Sequence, residues 1–150
     1  MRWSAGEAEV ERLLDQGSIE RVQGAQADGE SWLERARRGL DAARIVAEAA
    51  PDSSIILAYD AARQACVALL AQQGLRPTTS GGHYAIEEAI RAQFGPTLRA
   101  FGGLRRRRSE LEYPLYPTER ASAAEAAEAL KTADEIIDAV TRLLPNLGFF

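Results

Sequence analysis

The segment LRRRRSELEYP, residues 104–114, contains the side chains of this chain that are best suited to chemistry on a phosphate. Its four consecutive arginines stay charged at neutral pH, and a guanidinium group donates two parallel hydrogen bonds to phosphate oxygens. Residues 99–108 carry five positive and no negative charges, although the whole chain has a net charge of −4. We therefore predict a local phosphate contact rather than a protein that coats nucleic acid along its whole surface. The predicted contact residues are Arg105, Arg106 and Arg107, for which a plain solvated face is the alternative.

Arg108 differs from its three neighbours because a helical wheel places it on the apolar face of its own helix. That face is formed by Leu98, Phe101, Leu104 and Leu111. A guanidinium is costly to bury unpaired, so it must meet a carboxylate or an anionic ligand. Glu112, one turn further on, is the local partner, and Asp60 in AYDAARQA is the second candidate for a supporting ion pair. A structural ion pair and a functional cleft both explain Arg108 at this point.

The chain offers little for other kinds of catalytic site. It has one cysteine, Cys66, and one histidine, His83, which are too few for a zinc site of the usual spacing. His83 follows Gly81 and Gly82 at a predicted helix start, where a partly buried ring that anchors the loop is a simpler interpretation than a catalytic one. The paired glycines lack a G-x-G-x-x-G motif or a Walker lysine, so they indicate a plain start of a helix. We predict no metal and no cofactor.

Capping and stop residues divide the chain into six predicted helices. Three pairs have the spacing of a capping box, in which a hydroxyl and a carboxylate bind free amides of the first turn. They are Ser4 with Glu7, Ser31 with Glu34, and Ser122 with Glu125. Glycine and proline mark the ends at Gly17, Pro51, Gly74, Gly95 and Pro114. The predicted helices span residues 5–16, 32–50, 54–73, 84–94, 97–112 and 121–144.

Apolar periodicity predicts that these helices pack against one another. The second predicted helix has an apolar face of Trp32, Ala36, Leu40, Ala43, Ala47 and Ala50. The last has a face of Ala126, Leu130, Ala133, Ile137, Val140 and Leu144. Because alanine is so frequent there, we expect close antiparallel packing. With a predicted linker at 17–30 and a loop at 75–82, no room is left for a sheet, and the predicted fold is all-α: an up-and-down four-helix bundle with one or two short extra helices.

The chain of 150 residues is long enough for one domain with its own hydrophobic core. No stretch approaches the roughly 18–20 uninterrupted apolar residues that span a bilayer, and the first residues include acids where a signal peptide would be apolar. A single cysteine excludes a disulfide framework. We expect a cytoplasmic protein with no membrane partner, organised as a single helical domain over residues 1–150.

Four blocks of the sequence, in this order and spacing, resemble the HEPN domains, the higher-eukaryote and prokaryote nucleotide-binding helical bundles. The blocks are LERARRGLDAA, LAYDAARQACVALLAQQGLRPTTSGGH, LRRRRSELEYP and EAAEALKTADEIIDAV. The resemblance implies a bundle at about residues 31–145, preceded by a short N-terminal helix and linker at 1–30. It also implies a homodimer whose arginine-bearing helices face each other across a cleft, and a place in bacterial toxin–antitoxin or defence systems.

Active members of the family that this chain resembles are metal-independent endoribonucleases, in which a histidine follows an arginine a few residues later. In this sequence no histidine follows the arginine block. One alignment places Arg108 and Ser109 at the arginine and polar positions and Tyr113 at the histidine position. Another places Arg106 in the arginine role and Leu111 at the histidine position. The first is preferred because it uses the arginine on the apolar face.

The resemblance implies that Arg108 stabilises a pentacoordinate phosphate, with Glu112 or Tyr113 as the base that activates the 2′-hydroxyl. A phenol with a pKa of about 10 is a poor base at neutral pH, and Glu112 is available only if Arg108 does not occupy its carboxylate. A weak RNA-directed endoribonuclease is one expectation. The alternative is a non-catalytic interaction module that pairs with a nucleotidyltransferase, for which Tyr113 is the expected modification site. A small helical dimer with neither role would leave Arg108 unexplained.

Overall fold

The computed structural model describes residues 2–150, so Met1, which the predicted domain includes, lies outside the described residues. The described residues form six α-helices and two short β-strands. In chain order these are α1 (Glu7–Asp15), β1 (Ile19–Arg21), α2 (Gly29–Val46), α3 (Pro51–Gln72), β2 (Leu75–Pro77), α4 (Gly82–Phe94), α5 (Ala100–Glu112) and α6 (Ala123–Leu143). Short 3-10 turns lie at Gly24–Ala27, Gly95–Leu98 and Leu144–Asn146.

Helix α3 forms the centre of the protein because most of its side chains are small and apolar. It packs against α2, α4, α5 and α6. Ala58, Ala61, Ala62 and Ala65 are fully buried, and alanine allows helix axes to approach closely. Among the described helices, α3 alone is long and apolar enough to cross a membrane, but its neighbours bury 72% of the most apolar window. Its apolar length is therefore explained by its central place in the core.

The prediction of an all-α fold is confirmed, and the specific up-and-down order of four helices stays a prediction. The apolar face of α6 is buried as predicted at Ala126, Ala133, Ile137 and Val140. The predicted face of α2 is partly wrong, because Leu33 rather than the larger Trp32 is buried. In addition, α2 ends at Val46, which places Ala47 and Ala50 beyond it.

One predicted capping pair is found at the start of its helix. Ser122 Oγ accepts a hydrogen bond from the Glu125 N–H at 3.1 Å before α6. The predicted pair of Ser31 with Glu34 is wrong, because α2 starts three residues earlier and Asp28 is its cap, accepting from the Ser31 N–H at 3.0 Å. Pro51, predicted as a stop for α2, instead begins α3, where its missing N–H costs no helical hydrogen bond.

The predicted cap at Ser4 is wrong for a different reason. Helix α1 begins after Gly6, whose φ of +73° is readily adopted only by glycine. A Cβ at this position would lie 2.5 Å from the backbone of Ala92 in α4. The close approach of α1 to α4, and not a capping hydroxyl, fixes where α1 begins.

The prediction that the chain leaves no room for a sheet is also wrong. Strands β1 and β2 form a two-stranded antiparallel ladder in which Ile19 pairs with Pro77 and Arg21 with Leu75. Ile19 and Leu75 are buried, so the ladder covers part of the core. Each strand is three residues long, which is too short to show an alternating pattern in the sequence.

The loop between β2 and α4 is fixed against the turn before β1. Thr78 Oγ1 donates a hydrogen bond to the Gly17 carbonyl at 2.6 Å, and the Gly81 N–H donates to Thr78 Oγ1 at 3.2 Å. A Cβ on Gly81 would lie 1.9 Å from the carbonyl oxygen of Ser18, so only glycine fits there. These contacts set the position of the first turn of α4, which contains His83.

Candidate active site at the arginine block of α5

The four consecutive arginines of α5 leave the helix in different directions, because each residue of an α-helix is rotated by about 100° from the one before. Arg105 and Arg108 contact side chains of α4 and α3, respectively. Arg107 contacts α6, and Arg106 lines a cleft beside α4. The block is therefore not one uniform basic face, and each arginine has its own surroundings.

Arg105 is held against α4 by a charged pair and an aromatic ring. Its Nε donates a hydrogen bond to the Glu87 carboxylate, and its guanidinium carbon lies 4.7 Å from the centre of the Tyr84 ring. Both side chains of the ion pair are mostly buried. Gly102 leaves room for the pair, since a Cβ there would lie 2.6 Å from Glu87 Oε1. Arg105 therefore joins α5 to α4 instead of extending freely into solvent.

Arg107 lies among three carboxylates. Its Nε donates to Glu125 of α6, and its Nη1 lies 3.0 Å from Glu110 and 3.9 Å from Glu119. The hydrogen bond with Glu125 raises the pKa of Arg107 above its ordinary value. Because several acids surround it, Arg107 presents little net positive charge to an outside phosphate.

Arg106 borders an open cleft of about 420 Å³ beside α4 and α5. Arg91 and Arg99 line the same cleft together with the carboxylate of Glu87, which lies 3.7 Å from Arg91, and the cleft has apolar walls that include Ile90 and Phe101. The sequence assigned Arg106 to phosphate binding, and the structure adds two arginines from other parts of the chain at the same place. A cleft lined by several cations concentrates anionic ligands.

Arg108 is the arginine that the helical wheel placed on the apolar face, and its side chain is only 19% exposed. Its Nη2 lies 2.5 Å from Oε2 of Glu112. Its guanidinium carbon lies 5.9 Å from the centre of the Tyr59 ring, within the range of a cation–π contact. The Nε of Arg108 is buried without a hydrogen-bond partner among the described residues. A buried unpaired donor is costly, and an oxygen acceptor from outside the chain would relieve that cost.

Tyr59 connects Arg108 to the one histidine of the chain. Tyr59 is fully buried and stacks on Phe101 with ring centres 5.4 Å apart. Its Oη lies 2.8 Å from Nδ1 of His83, and the two ring centres are 5.6 Å apart. Arg63, one turn after Tyr59 on α3, also has a buried Nε without a hydrogen-bond partner in the described part of the chain, although the Asp60 carboxylate lies 3.9 Å from it. We call Tyr59, Arg63, His83 and Arg108 the arginine–histidine cluster.

Burial and charge in this cluster favour a neutral imidazole. Burial lowers the pKa of His83, and the cations Arg63 and Arg108 lower it further, whereas Asp60 opposes them. Burial also raises the pKa of Tyr59, so its phenol stays protonated at neutral pH. A neutral imidazole next to a protonated phenol is able to accept a proton.

The structure brings together some of the predicted catalytic residues and separates others. Arg108 pairs with Glu112, the partner predicted from the same helix. Because Arg108 occupies its carboxylate, Glu112 is not free to act as the base. Tyr113 follows the last residue of α5, is 73% exposed, and has no side-chain hydrogen bond within residues 2–150. Asp60 lies 3.9 Å from Arg63, and within the described residues its ion pair is with that arginine and not with Arg108.

Sequence reasoning missed Tyr59 and Arg63 and gave His83 only an anchoring role. A signal for the first two was available, because Tyr59 and Arg63 are four residues apart on a mostly apolar helix and therefore share a face. The contact of His83 with Tyr59 had no such signal, since it depends on how α4 packs against α3.

Other reactive groups do not form a second site of this kind. Within residues 2–150, no group of three or more His, Cys, Asp or Glu side chains is arranged to hold a metal ion. Cys66 is fully buried in α3, and burial raises the pKa of its thiol, which disfavours a reactive thiolate.

Comparison with known proteins gives one match. A family model described as the HEPN domain matches residues 30–143, which is more than half of the chain. No curated protein and no solved structure matches the sequence. The matched range includes α3, α4 and α5, the three helices that carry the arginine–histidine cluster.

Proposed function

The chain belongs to the HEPN domain family, and we propose that it is an RNA-directed protein of a bacterial toxin–antitoxin or defence system with a weak, metal-independent endoribonuclease activity. The main support for this proposal is the burial of the Arg108 guanidinium and the groups that surround it. Its guanidinium is mostly buried between Tyr59 and the Glu112 carboxylate with which its Nη2 pairs, and its Nε lacks a hydrogen-bond partner among the described residues. A fixed cation in such surroundings stabilises the extra negative charge of a pentacoordinate phosphate more strongly than a solvated one.

The cleft beside α4 supports RNA as the ligand. Arg91, Arg99 and Arg106 line it with one carboxylate, Glu87, so the cleft keeps an excess of positive charge. Arginines in such a groove bind a sugar–phosphate backbone without reading its bases. The net charge of −4 disfavours nucleic acid on the remaining surface. We therefore place the RNA backbone in this cleft, with Arg105 and Arg108 on the neighbouring part of α5.

Cleavage of total cellular RNA in excess EDTA tests the proposal. The comparison uses wild type, Arg108→Ala and, as a matched control, Arg38→Ala. Arg38 is 68% exposed and pairs only loosely, at 3.7 Å, with Glu34. We expect cleavage by wild type and the control, and a loss of about 10²–10³-fold in Arg108→Ala, the usual size for removal of one group that stabilises a transition state. Circular dichroism and thermal melting check that all three proteins fold.

Two results would contradict an endoribonuclease centred on Arg108. One is intact RNA after incubation with folded wild-type protein. The other is equal cleavage by wild type and Arg108→Ala, which would place the activity elsewhere or in a contaminant.

A second candidate function is the non-catalytic module that pairs with a nucleotidyltransferase. It is favoured by three large side chains after the end of α5, since Tyr113, Leu115 and Tyr116 are 73%, 82% and 65% exposed. A short run of exposed apolar side chains fits a protein partner. The same run would serve the homodimer, which is the other expected partner. The exposed hydroxyl of Tyr113 is also accessible to nucleotide transfer.

Co-purification with a nucleotidyltransferase and an intact-mass measurement test the second candidate. After incubation with the transferase and ATP, the mass should increase in wild type and not in Tyr113→Phe, with Tyr116→Phe as the matched control. Light scattering of the purified chain reports whether it forms a homodimer. An unchanged wild-type mass and no co-purification would rule out this function.

A further inference from the structure

The first turn of α4 presents an aromatic ring to solvent beside the arginine block. Tyr84 is 65% exposed, and the guanidinium carbon of Arg105 lies 4.7 Å from the centre of its ring. The guanidinium covers one face, so the exposed part of the side chain includes the opposite face. Tyr116 is equally exposed, but none of the cation–π contacts within residues 2–150 involves its ring. Exposure alone does not distinguish Tyr84, whereas the arginine on one face of its ring does.

The ring of Tyr84 is held in place from two sides. The Glu87 carboxylate accepts a hydrogen bond from Arg105 Nε, and both side chains of this ion pair are mostly buried. Before α4, a Cβ on Gly81 would lie 1.9 Å from the Ser18 carbonyl oxygen, and this close approach fixes the backbone at the first turn. A ring that is already held loses little freedom when a ligand stacks on it.

Tyr84 extends along α4 the open cleft that Arg91 and Arg106 line. Tyr84, Glu87 and Arg91 are three and four residues apart, so they share one face of that helix. Glu87 connects the ring with the cleft, because the carboxylate that holds Arg105 also lines the cleft. A rise of about 1.5 Å per residue places Tyr84 about 10 Å along the helix from Arg91. An RNA backbone that lies in the cleft therefore passes close to the ring.

We propose that Tyr84 is a stacking platform for one unpaired base, and that the RNA which this protein takes is single-stranded. The inference rests on the proposed function and names the substrate class of the same cleft. Arginines of the cleft hold the sugar–phosphate backbone, and a base beside the bound phosphates lies flat on the open face of Tyr84. Arg105 stays on the far face as the support of the ring. Tyr84 is a binding residue, because it touches no reacting atom.

The open face of Tyr84 selects unpaired bases because of the way a duplex presents its surface. In double-stranded RNA the bases stack on one another, and the accessible surface consists mainly of phosphates and 2′-hydroxyls. In a single strand the bases turn outward and stack on aromatic side chains. Every base has a π-face, so such a platform accepts any of the four bases. The structure therefore predicts a preference for single strands without a preference for sequence.

Affinity for an uncleavable RNA tests the platform without any cleavage. The probe is a short single-stranded 2′-O-methyl oligonucleotide, and its Kd is measured by fluorescence anisotropy in excess EDTA. We expect Tyr84→Ala to raise Kd by about 5–150-fold, the usual effect of removing one ring that stacks on a base. Tyr84→Phe should bind like wild type, because a phenyl ring also stacks. Tyr116→Ala is the matched control of equal exposure and should leave Kd unchanged.

Three further readouts separate stacking from charge. The slope of log Kd against log salt concentration should be the same in Tyr84→Ala as in wild type, whereas Arg106→Ala should reduce it by about 0.7, the value for one phosphate contact on a single strand. Wild type should quench the fluorescence of 2-aminopurine at one position of the oligonucleotide, and Tyr84→Ala should not. With a cleavable oligonucleotide, Tyr84→Ala should raise KM and leave kcat nearly unchanged, because it removes binding that substrate and transition state share.

The outcomes distinguish the platform from the endoribonuclease. A Kd that rises in Tyr84→Ala, is restored in Tyr84→Phe and keeps its salt slope supports the platform. Equal Kd values for Tyr84→Ala and Tyr116→Ala overturn it and leave the endoribonuclease intact, as does a duplex that binds as tightly as the single strand. Wild type that neither binds the oligonucleotide nor cleaves total RNA overturns both. If circular dichroism shows that Tyr84→Ala does not fold, Tyr84→Leu takes its place with the same expected rise in Kd.

Discussion

Arg107 and Arg108 are adjacent in the sequence, yet α5 places them in opposite surroundings. Arg107 has three carboxylates within 4 Å, including Glu125 of α6. Arg108 has one carboxylate, an aromatic ring, and a buried Nε without a partner in the described residues. The first arginine is surrounded by acids where two helices meet, whereas the second lies against the Tyr59 ring, whose hydroxyl is hydrogen-bonded to His83. Two identical residues thus differ in what they are able to do because of the helices they face.

The surroundings of the two arginines also differ in how much they stabilise the fold. On the Arg107 side, where α5 faces α6, the ion pairs are partly exposed to solvent, and such pairs add little stability. On the Arg108 side, the fully buried Tyr59 belongs to the hydrophobic core. We therefore expect the Arg108 side to combine core packing with catalysis, and the Arg107 side to contribute only a modest connection between α5 and α6.

Tyr59→Ala should have the largest effect on stability. The substitution removes a fully buried aromatic ring, and such losses cost about 3–5 kcal/mol of unfolding free energy. It also removes the ring that Arg108 and His83 share, so RNA cleavage should disappear. Chemical denaturation measures the first effect, with the exposed Tyr116→Ala as the control that should change little. A loss near that of the control would show that the ring is not part of the packed core.

Arg107→Ala should have a smaller effect, of about 1 kcal/mol on unfolding free energy. Glu125→Ala should cost a similar amount, and the double variant should cost less than the sum of the two, because the residues are paired. RNA cleavage per folded molecule should fall far less than in Arg108→Ala. If both arginine variants lose cleavage equally, the distinction between the two sides of α5 is wrong.

The pH dependence of stability should show the smallest effect. The pKa of His83 is lowered in the folded state, so the unfolded chain binds the proton more tightly. The contribution of neutral His83 to the free energy of unfolding is therefore fully present above pH 6.5. It is lost as the pH falls from 6.5 toward the lower pKa of the folded state. Thermal melting at a series of pH values should show this loss in wild type. The same series in His83→Gln should be flatter, and identical curves would contradict the burial of the imidazole beside Arg63 and Arg108.

The sequence predicted the helices better than it predicted where they begin. Ser122 identified the start of α6 because its capping hydrogen bond is local. Ser4 and Ser31 failed because Gly6 and Asp28 compete with them, and the close approach of α1 to α4 decides the first case. The two strands were missed because three residues carry no periodic signal and the pairing joins distant segments.

For the candidate site, the sequence by itself determined what lies within one helix. The inward position of Arg108 and its ion pair with Glu112 follow from the helical repeat, since residues four apart share a face. The hydrogen bond of His83 with Tyr59 and the pairing of Arg107 with Glu125 were decided only by the tertiary structure. Each of those contacts joins two helices, and their geometry depends on how side chains of the whole core pack rather than on spacing along the chain.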